Sequence, residues 1–172
     1  MNNLICQAVN KQINEEFFSS YLYLSMAAFF ESQNLKGFAN WMRVQAKEEN
    51  DHAMGLYNHL LERGGKVELE EIKKPTTDFP NVLTVFEETL KHEQHITKLI
   101  HGLYELTYTE KDFALQSFLK WYIDEQVEEE ANVQELIEKI KMLGEKGDAL
   151  YLLDRELLTR TYVQATILTR LR

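Results

Sequence analysis

The chain has 172 residues, with 19 Lys and Arg against 28 Asp and Glu, a formal net charge of −9. That length suits a single domain, residues 1–172, with a substantial core, and the excess of acid argues against binding to nucleic acid through its phosphates while leaving open an attraction to cations. A single cysteine, Cys6, excludes an intramolecular disulfide framework and any Cys-rich metal site, and it reads as a small apolar filler in the first helix.

Seven glycines and two prolines are too few for a chain of many turns, which favours a few long helices. The first helix, about residues 4 to 32, carries a stripe at helical spacing through Val9, Ile13, Glu16, Ser20, Tyr23, Ala27 and Phe30. After a break at 34–37, the second, to residue 64, aligns Phe38, Met42, Gln45, Glu49, His52 and Leu56. Gly64 and Gly65 end it, because glycine takes up the left-handed conformation of a helix terminus at little cost. Residues 65–80 hold both prolines and no stripe, and read as a long crossover. The third helix, 82–108, presents Val82, Phe86, Thr89, Glu93, Ile96, Ile100 and Leu103. The fourth, 111–143, presents Leu115, Leu119, Tyr122, Gln126, Glu129, Val133, Leu136 and Ile140, and stops at Gly144. A short fifth helix, capped by Asp148 and rich in Leu and Tyr, is expected over 148–162.

Short turns make antiparallel hairpins of helices one and two and of helices three and four. A crossover of about 16 residues reaches about 50 Å, enough to return along a helix of about 40 Å. The second and third helices then run parallel, and the fold class is all-α, a four-helix bundle with one long crossover. No uninterrupted apolar run approaches the ~18 residues of a membrane span, and no basic segment leads into an apolar one at the N-terminus. The expectation is a cytoplasmic protein without membrane contact.

Each stripe is apolar at both ends and polar near its middle: Glu16; Glu49 with His52; Glu93; Gln126 with Glu129. Counting outward from the two hairpin turns brings these groups to one level of the bundle, within about 6 Å. Buried carboxylates at one level cost several kcal/mol each in lost hydration and repel one another, so they must hold protons or be neutralised by cations. No Lys or Arg stands in the stripes at that level, which points to metal ions. Carboxylate oxygens with one imidazole suit iron, manganese or zinc. Glu49-x-x-His52 sets two ligands one turn apart on a helix face, the spacing of carboxylate di-iron bundles. The competing reading keeps these acids at stripe edges with their carboxyls in water.

The stretches NEEFFSSYLYLSM (14–26), AKEENDHA (46–53), KHEQHIT (91–97) and FLKWYIDEQVEEE (118–130), with the tail LGEKGDALYLLDRELL (143–158), occur in order. On these motifs the chain resembles bacterial non-haem ferritin over nearly its whole length. The resemblance implies a ferritin-like bundle assembled into a hollow shell of 24 subunits. Such a shell oxidises Fe(II) with dioxygen, or hydrogen peroxide, and stores Fe(III) mineral; it carries two irons per ferroxidase centre and no haem. By motif, Glu16, Glu49 and His52 would hold the first iron, and Glu49 would bridge to a second completed by Glu93 and Glu129. Gln126 would lie beside the pair, orienting dioxygen or a ligand. A neighbouring third iron site would use Glu48, Glu125 and Glu128 and share Glu129. Helical geometry turns Glu48 about 100° from Glu49 and sets Glu125 and Glu128 on one ridge; the alternative for these three is a solvated acidic face.

Glu130 is expected to be solvated. Tyr23 is either an electron donor or a core tyrosine bonded to a buried carboxylate, and the two roles are compatible. Trp121 and Tyr122 read as core. His59, His92, His95 and His101 are expected to face solvent or fill ordinary polar positions, not to act as ligands. Departures from related families narrow the choice. The fourth helix offers Gln126-x-x-Glu129 where a symmetric di-iron site has a second Glu-x-x-His, which disfavours bacterioferritin and radical-generating reductases. Asn50 stands where bacterioferritin has a haem-ligating Met, and one cysteine cannot build the electron-transfer module of a rubrerythrin. Another di-iron carboxylate oxidase and a non-catalytic helical scaffold remain as alternatives.

Overall fold

The structure, a computed structural model, describes residues 2–144 and 147–169. In chain order it contains α1 (Asn3–Ser32), α2 (Lys36–Glu62), α3 (Val82–Thr109), α4 (Phe113–Leu143), α5 (Asp148–Leu157) and a 3₁₀ turn (Thr166–Thr169). No strand occurs among the described residues, and no helix is long and apolar enough to cross a membrane.

Three helices begin on side-chain caps that satisfy otherwise orphaned backbone donors. Asn2 accepts from Ile5 N at 2.9 Å, Asn81 from Thr84 N at 2.8 Å and Asp112 from Leu115 N at 3.1 Å. Helix α2 is capped from elsewhere. Asp154 of α5 accepts from Gly37 N at 2.8 Å and Phe38 N at 3.0 Å. A Cβ on Gly37 would lie 1.6 Å from the Asp154 carbonyl oxygen, so only glycine permits this approach.

Two apolar clusters occupy the ends of the bundle. One joins the last turns of α1 and α4 to the first turns of α2 and α3 and to α5, with Phe30, Phe38 and Phe86 in mutual ring contact and Trp41 packed on Phe86. The other joins the first turns of α1 and α4 to the last turns of α2 and α3 and to Ile167. This sorting requires α2 and α3 to run parallel, joined by the crossover at 63–81, as the prolines and missing stripe predict. Between the two clusters lies the polar layer.

The end of the chain departs from expectation. Helix α5 stops at Leu157, five residues before the expected end. Asp148 is its first helical residue, while Gly147 holds the cap position without a side-chain bond. Beyond α5 the backbone turns back along α2, where side chains offer more than further helical turns would. Asn40 donates to the carbonyls of Leu157 at 3.1 Å and Arg160 at 2.9 Å. Tyr162 OH and Ala165 N both donate to Asp51 Oδ2, at 2.7 and 2.9 Å. Trp121 Nε1 donates to Thr166 Oγ1 at 3.0 Å. Residues 158–169 thus form a strap over α2 and α4. The expected tail sequence at 143–158 includes residues 145 and 146, which lie outside the described residues.

Candidate metal centre

Glu16 of α1, Glu49 and His52 of α2, Glu93 of α3, and Gln126 and Glu129 of α4 are all buried, none more than 4% exposed. Each sits on the stripe of its helix that faces the bundle axis, so folding the four stripes together delivers all six into one layer. The stripe-edge alternative, with carboxyls in water, does not describe these side chains.

Among the described residues, two sets of His and carboxylate atoms converge within 4.8 Å: Glu16, Glu49 and His52, and then His52, Glu125 and Glu129. His52 belongs to both, linking the first triad to Glu129 of the same buried layer and to half-buried Glu125. Its Nδ1 lies 3.2 Å from Glu49 Oε2, and Tyr122 OH donates to its carbonyl at 2.7 Å. The edge of Trp121 packs against its ring with centroids 5.4 Å apart. Trp121 is therefore core, as expected, and also a wall of the layer.

The remaining contacts hold the carboxylates by amides and hydroxyls. Gln12 Nε2 donates to Glu16 Oε1 at 2.9 Å. Gln45 Nε2 donates to Glu129 Oε2 at 2.5 Å and faces Glu49 Oε1 at 3.5 Å. Tyr23 OH donates to Glu93 Oε1, while Gln126 Nε2 donates to Glu93 Oε2 at 3.2 Å and contacts Thr97 Oγ1 at 3.3 Å. Tyr23 is thus a core tyrosine bonded to a buried carboxylate. Glu93 has both oxygens engaged and stands outside the two convergent sets.

Electrostatics follow from burial with few cations. Burial pushes the Glu93 carboxyl up to about 8, with Glu49 reinforcing the shift. Burial does the same for Glu129, also to about 8, with Glu93 reinforcing it. Glu49 is driven well above the usual carboxylate range by burial and then by Glu16 and Glu129. Glu16 is raised by burial against the attraction of His52. Burial thus favours the protonated form over the charged one at each of these carboxyls. Glu16 Oε2 and His52 Nε2 are buried without any hydrogen-bond partner. Native proteins seldom leave such atoms unpaired, and their pairing with a convergent carboxylate set fits a divalent cation.

The outer acids divide. Glu125 is half-buried and reaches His52, Glu128 is exposed to solvent, and Glu48 is half-buried. Glu48 accepts from Arg160 Nη2 at 2.5 Å. The stripes themselves lack basic residues at this level, but the strap supplies one. Glu130 is not simply solvated: it is half-buried and accepts from Thr97 Oγ1 at 2.6 Å. His59 is buried and stacks on Phe118 with centroids 4.1 Å apart, and burial lowers its pKa to about 4. His92 bonds Ser19 Oγ at 2.7 Å and packs its edge on Tyr23, while His95 and His101 are exposed. None of these four belongs to either convergent set.

Sequence reasoning missed the partners of the carboxylates. Gln45 stood in the second stripe, one turn before Glu49, and that spacing was a usable signal. Gln12 stands one turn before Glu16 in the same way. Arg160 had no signal, because it is 112 residues from Glu48 in the chain.

A helical bundle whose four long helices converge on buried carboxylates and one imidazole is the architecture of the ferritin-like class. A family model described as "Ferritin-like domain" matches residues 6–143. The chain is 39% identical over 158 residues to a bacterial non-heme ferritin of Staphylococcus aureus, covering 92% of this chain and 95% of that one. It is 43% identical over 151 residues to a bacterial non-heme ferritin of Campylobacter jejuni, covering 88% and 90%. Among solved structures, an engineered closed form of the Archaeoglobus fulgidus ferritin superimposes with a TM-score of 0.93 at 47% identity, over 95% of this chain and 99% of that one. The open-pore ferritin of the same archaeon matches with a TM-score of 0.92 at 47% identity, over 94% and 98%. The chain belongs to the ferritin family.

Proposed function

We propose that this protein stores iron, oxidising Fe(II) with dioxygen at the buried layer and holding Fe(III) mineral inside a homo-oligomeric shell of 24 subunits. The observation that carries this reading is the pair of orphaned atoms, Glu16 Oε2 and His52 Nε2, inside a layer whose carboxyls are pushed toward their protonated forms. Iron is here substrate and cargo.

In this reading Glu16, Glu49 and His52 hold one Fe(II), and Glu49, Glu93 and Glu129 hold the second. Binding displaces protons from carboxyls that burial has kept protonated, so those protons are released where dioxygen is reduced. Carboxylates suit a substrate that must leave, because they change between terminal and bridging modes without a strong ligand trapping the product. Gln45 and Gln126 hold Glu129 and Glu93 by amide donors, limiting how far each swings. Tyr23, bonded to Glu93, is placed to donate an electron. Glu48 and Glu125, sharing Glu129, form a rim where a third iron binds, and exposed Glu128 contributes least. Asn50 and the absence of a second Glu-x-x-His keep the haem-binding and symmetric di-iron alternatives disfavoured.

The test is Fe(II) loading without oxygen, followed by exposure to air while Fe(III) absorbance and dioxygen are recorded, on protein sized by chromatography. A very large particle that consumes dioxygen within seconds supports the reading. A monomer or dimer in which iron oxidises at the rate of buffer alone contradicts it and favours a helical scaffold.

A further inference from the structure

The strap brings a fixed positive charge to the rim of the centre. The Arg160 guanidinium lies over the Trp41 ring, 4.5 Å from its centroid. Its Nη2 donates to Glu48 Oε2 at 2.5 Å, and its Nη1 donates to Gln45 Oε1 at 3.0 Å and to the Trp41 carbonyl at 3.3 Å. A guanidinium has donors only. By occupying Gln45 Oε1 it fixes the orientation of that amide, whose Nε2 must then point at Glu129 and Glu49. One side chain on the strap thus neutralises Glu48 directly and orients the donor held by Glu129.

The strap is tied down on both sides of this residue. Asn40 holds its start at Leu157 and Arg160, and Asp51 holds Tyr162 and Ala165. These ties keep the strap attached to α2 when the guanidinium leaves Glu48, so its release slackens the span between them and does not detach it. Glu48 and Glu129 are also the acids assigned above to the rim, so a divalent cation there competes with Arg160 for Glu48 and repels it at short range.

We propose that Arg160 is the resident counter-ion of the rim: a divalent cation binding beside Glu48 displaces it, and its release loosens the strap around residues 158–165 and frees the Gln45 amide. Arg160 is a positioning residue, acting on the dinuclear layer through Gln45. The proposal rests on the iron-binding reading of the centre.

Its test uses the redox-inert ion Zn²⁺, titrated by calorimetry into the assembled wild-type protein and its Arg160→Gln and Arg160→Lys variants, with hydrogen exchange followed across 158–165. The expected result is two tight zinc ions per subunit in all three proteins. A third binds about tenfold more tightly in Arg160→Gln than in wild type, from loss of one charge-assisted competitor, and Arg160→Lys falls between them. If Arg160→Gln does not fold, a gain of affinity in Arg160→Lys over wild type carries the same support. In wild type, exchange across the strap rises only with the third equivalent. Two tight ions with the same third affinity in the variants and wild type overturns the proposal alone. So does strap exchange that rises with the first two equivalents or never rises. Zinc bound by none of the three overturns the dinuclear reading as well.

Discussion

Glu48 and Glu49 are consecutive carboxylates on one helix with opposite surroundings. Glu49 is 1% exposed, and its oxygens meet His52 and an amide. Glu48, about 100° around the helix, is half-buried and is met by Arg160. Burial raises both carboxyls, but like-charged Glu16 and Glu129 reinforce the shift at Glu49, whereas Arg160 and His52 oppose it at Glu48. The difference separates two ways of keeping an acid inside a protein. In the inner layer burial favours protonated carboxyls, whereas at the rim an arginine from the strap meets the carboxylate.

If the inner layer is where Fe(II) reacts, Glu49→Ala and Glu93→Ala lower the initial oxidation rate by at least about a hundredfold in stopped-flow absorbance, since each removes a ligand of the pair. An unchanged rate in Glu93→Ala would mean that the reacting layer has been misplaced. The raised carboxyls give the next effect. Carboxyls raised to about 8 in the folded protein, as for Glu93 and Glu129, bind more protons folded than unfolded. Their stabilisation is therefore complete below the unfolded value near 4.5 and is lost as pH rises through about 8. The metal-free protein should lose several kcal/mol between pH 5 and 9 in denaturant titrations, and saturating Zn²⁺ should flatten that slope.

Tyr23→Phe removes the hydroxyl bonded to Glu93 and leaves the ring packed. Oxidation slows a fewfold and stability falls by about 1 kcal/mol, read by stopped flow and chemical denaturation. Glu128→Gln sharpens the contrast from the other side. Because Glu128 is exposed, pair oxidation stays within about twofold of wild type, and the change appears in iron stoichiometry or turnover, measured over repeated Fe(II) additions.

The fold and the inner layer were legible in the sequence for one physical reason. A long helix repeats its inward face every 3.6 residues, so Glu16, Glu49, Glu93 and Glu129 declared themselves as polar breaks in apolar stripes, and the hairpin turns gave their common depth. Residues 65–80 were equally readable, since prolines and a missing period mark a connection. The strap was not readable. Residues 158–165 have no period, and what ends α5 at Leu157 is the set of partners Asn40, Trp41 and Asp51 on a distant helix. The cation at Glu48 and the fixed orientation of Gln45 arise from that return and from nothing local. His59 illustrates the same limit: its burial against Phe118 depends on a neighbour from α4.

Whether the four helices hold two Fe(II) ions in the buried layer can be seen in a brief anaerobic Fe(II) soak of crystals read by anomalous scattering at the iron edge. Two strong peaks per subunit are expected, one bounded by Glu16, Glu49 and His52 and the other by Glu49, Glu93 and Glu129. Iron found only on exposed acids, with the buried layer empty, would contradict this placement.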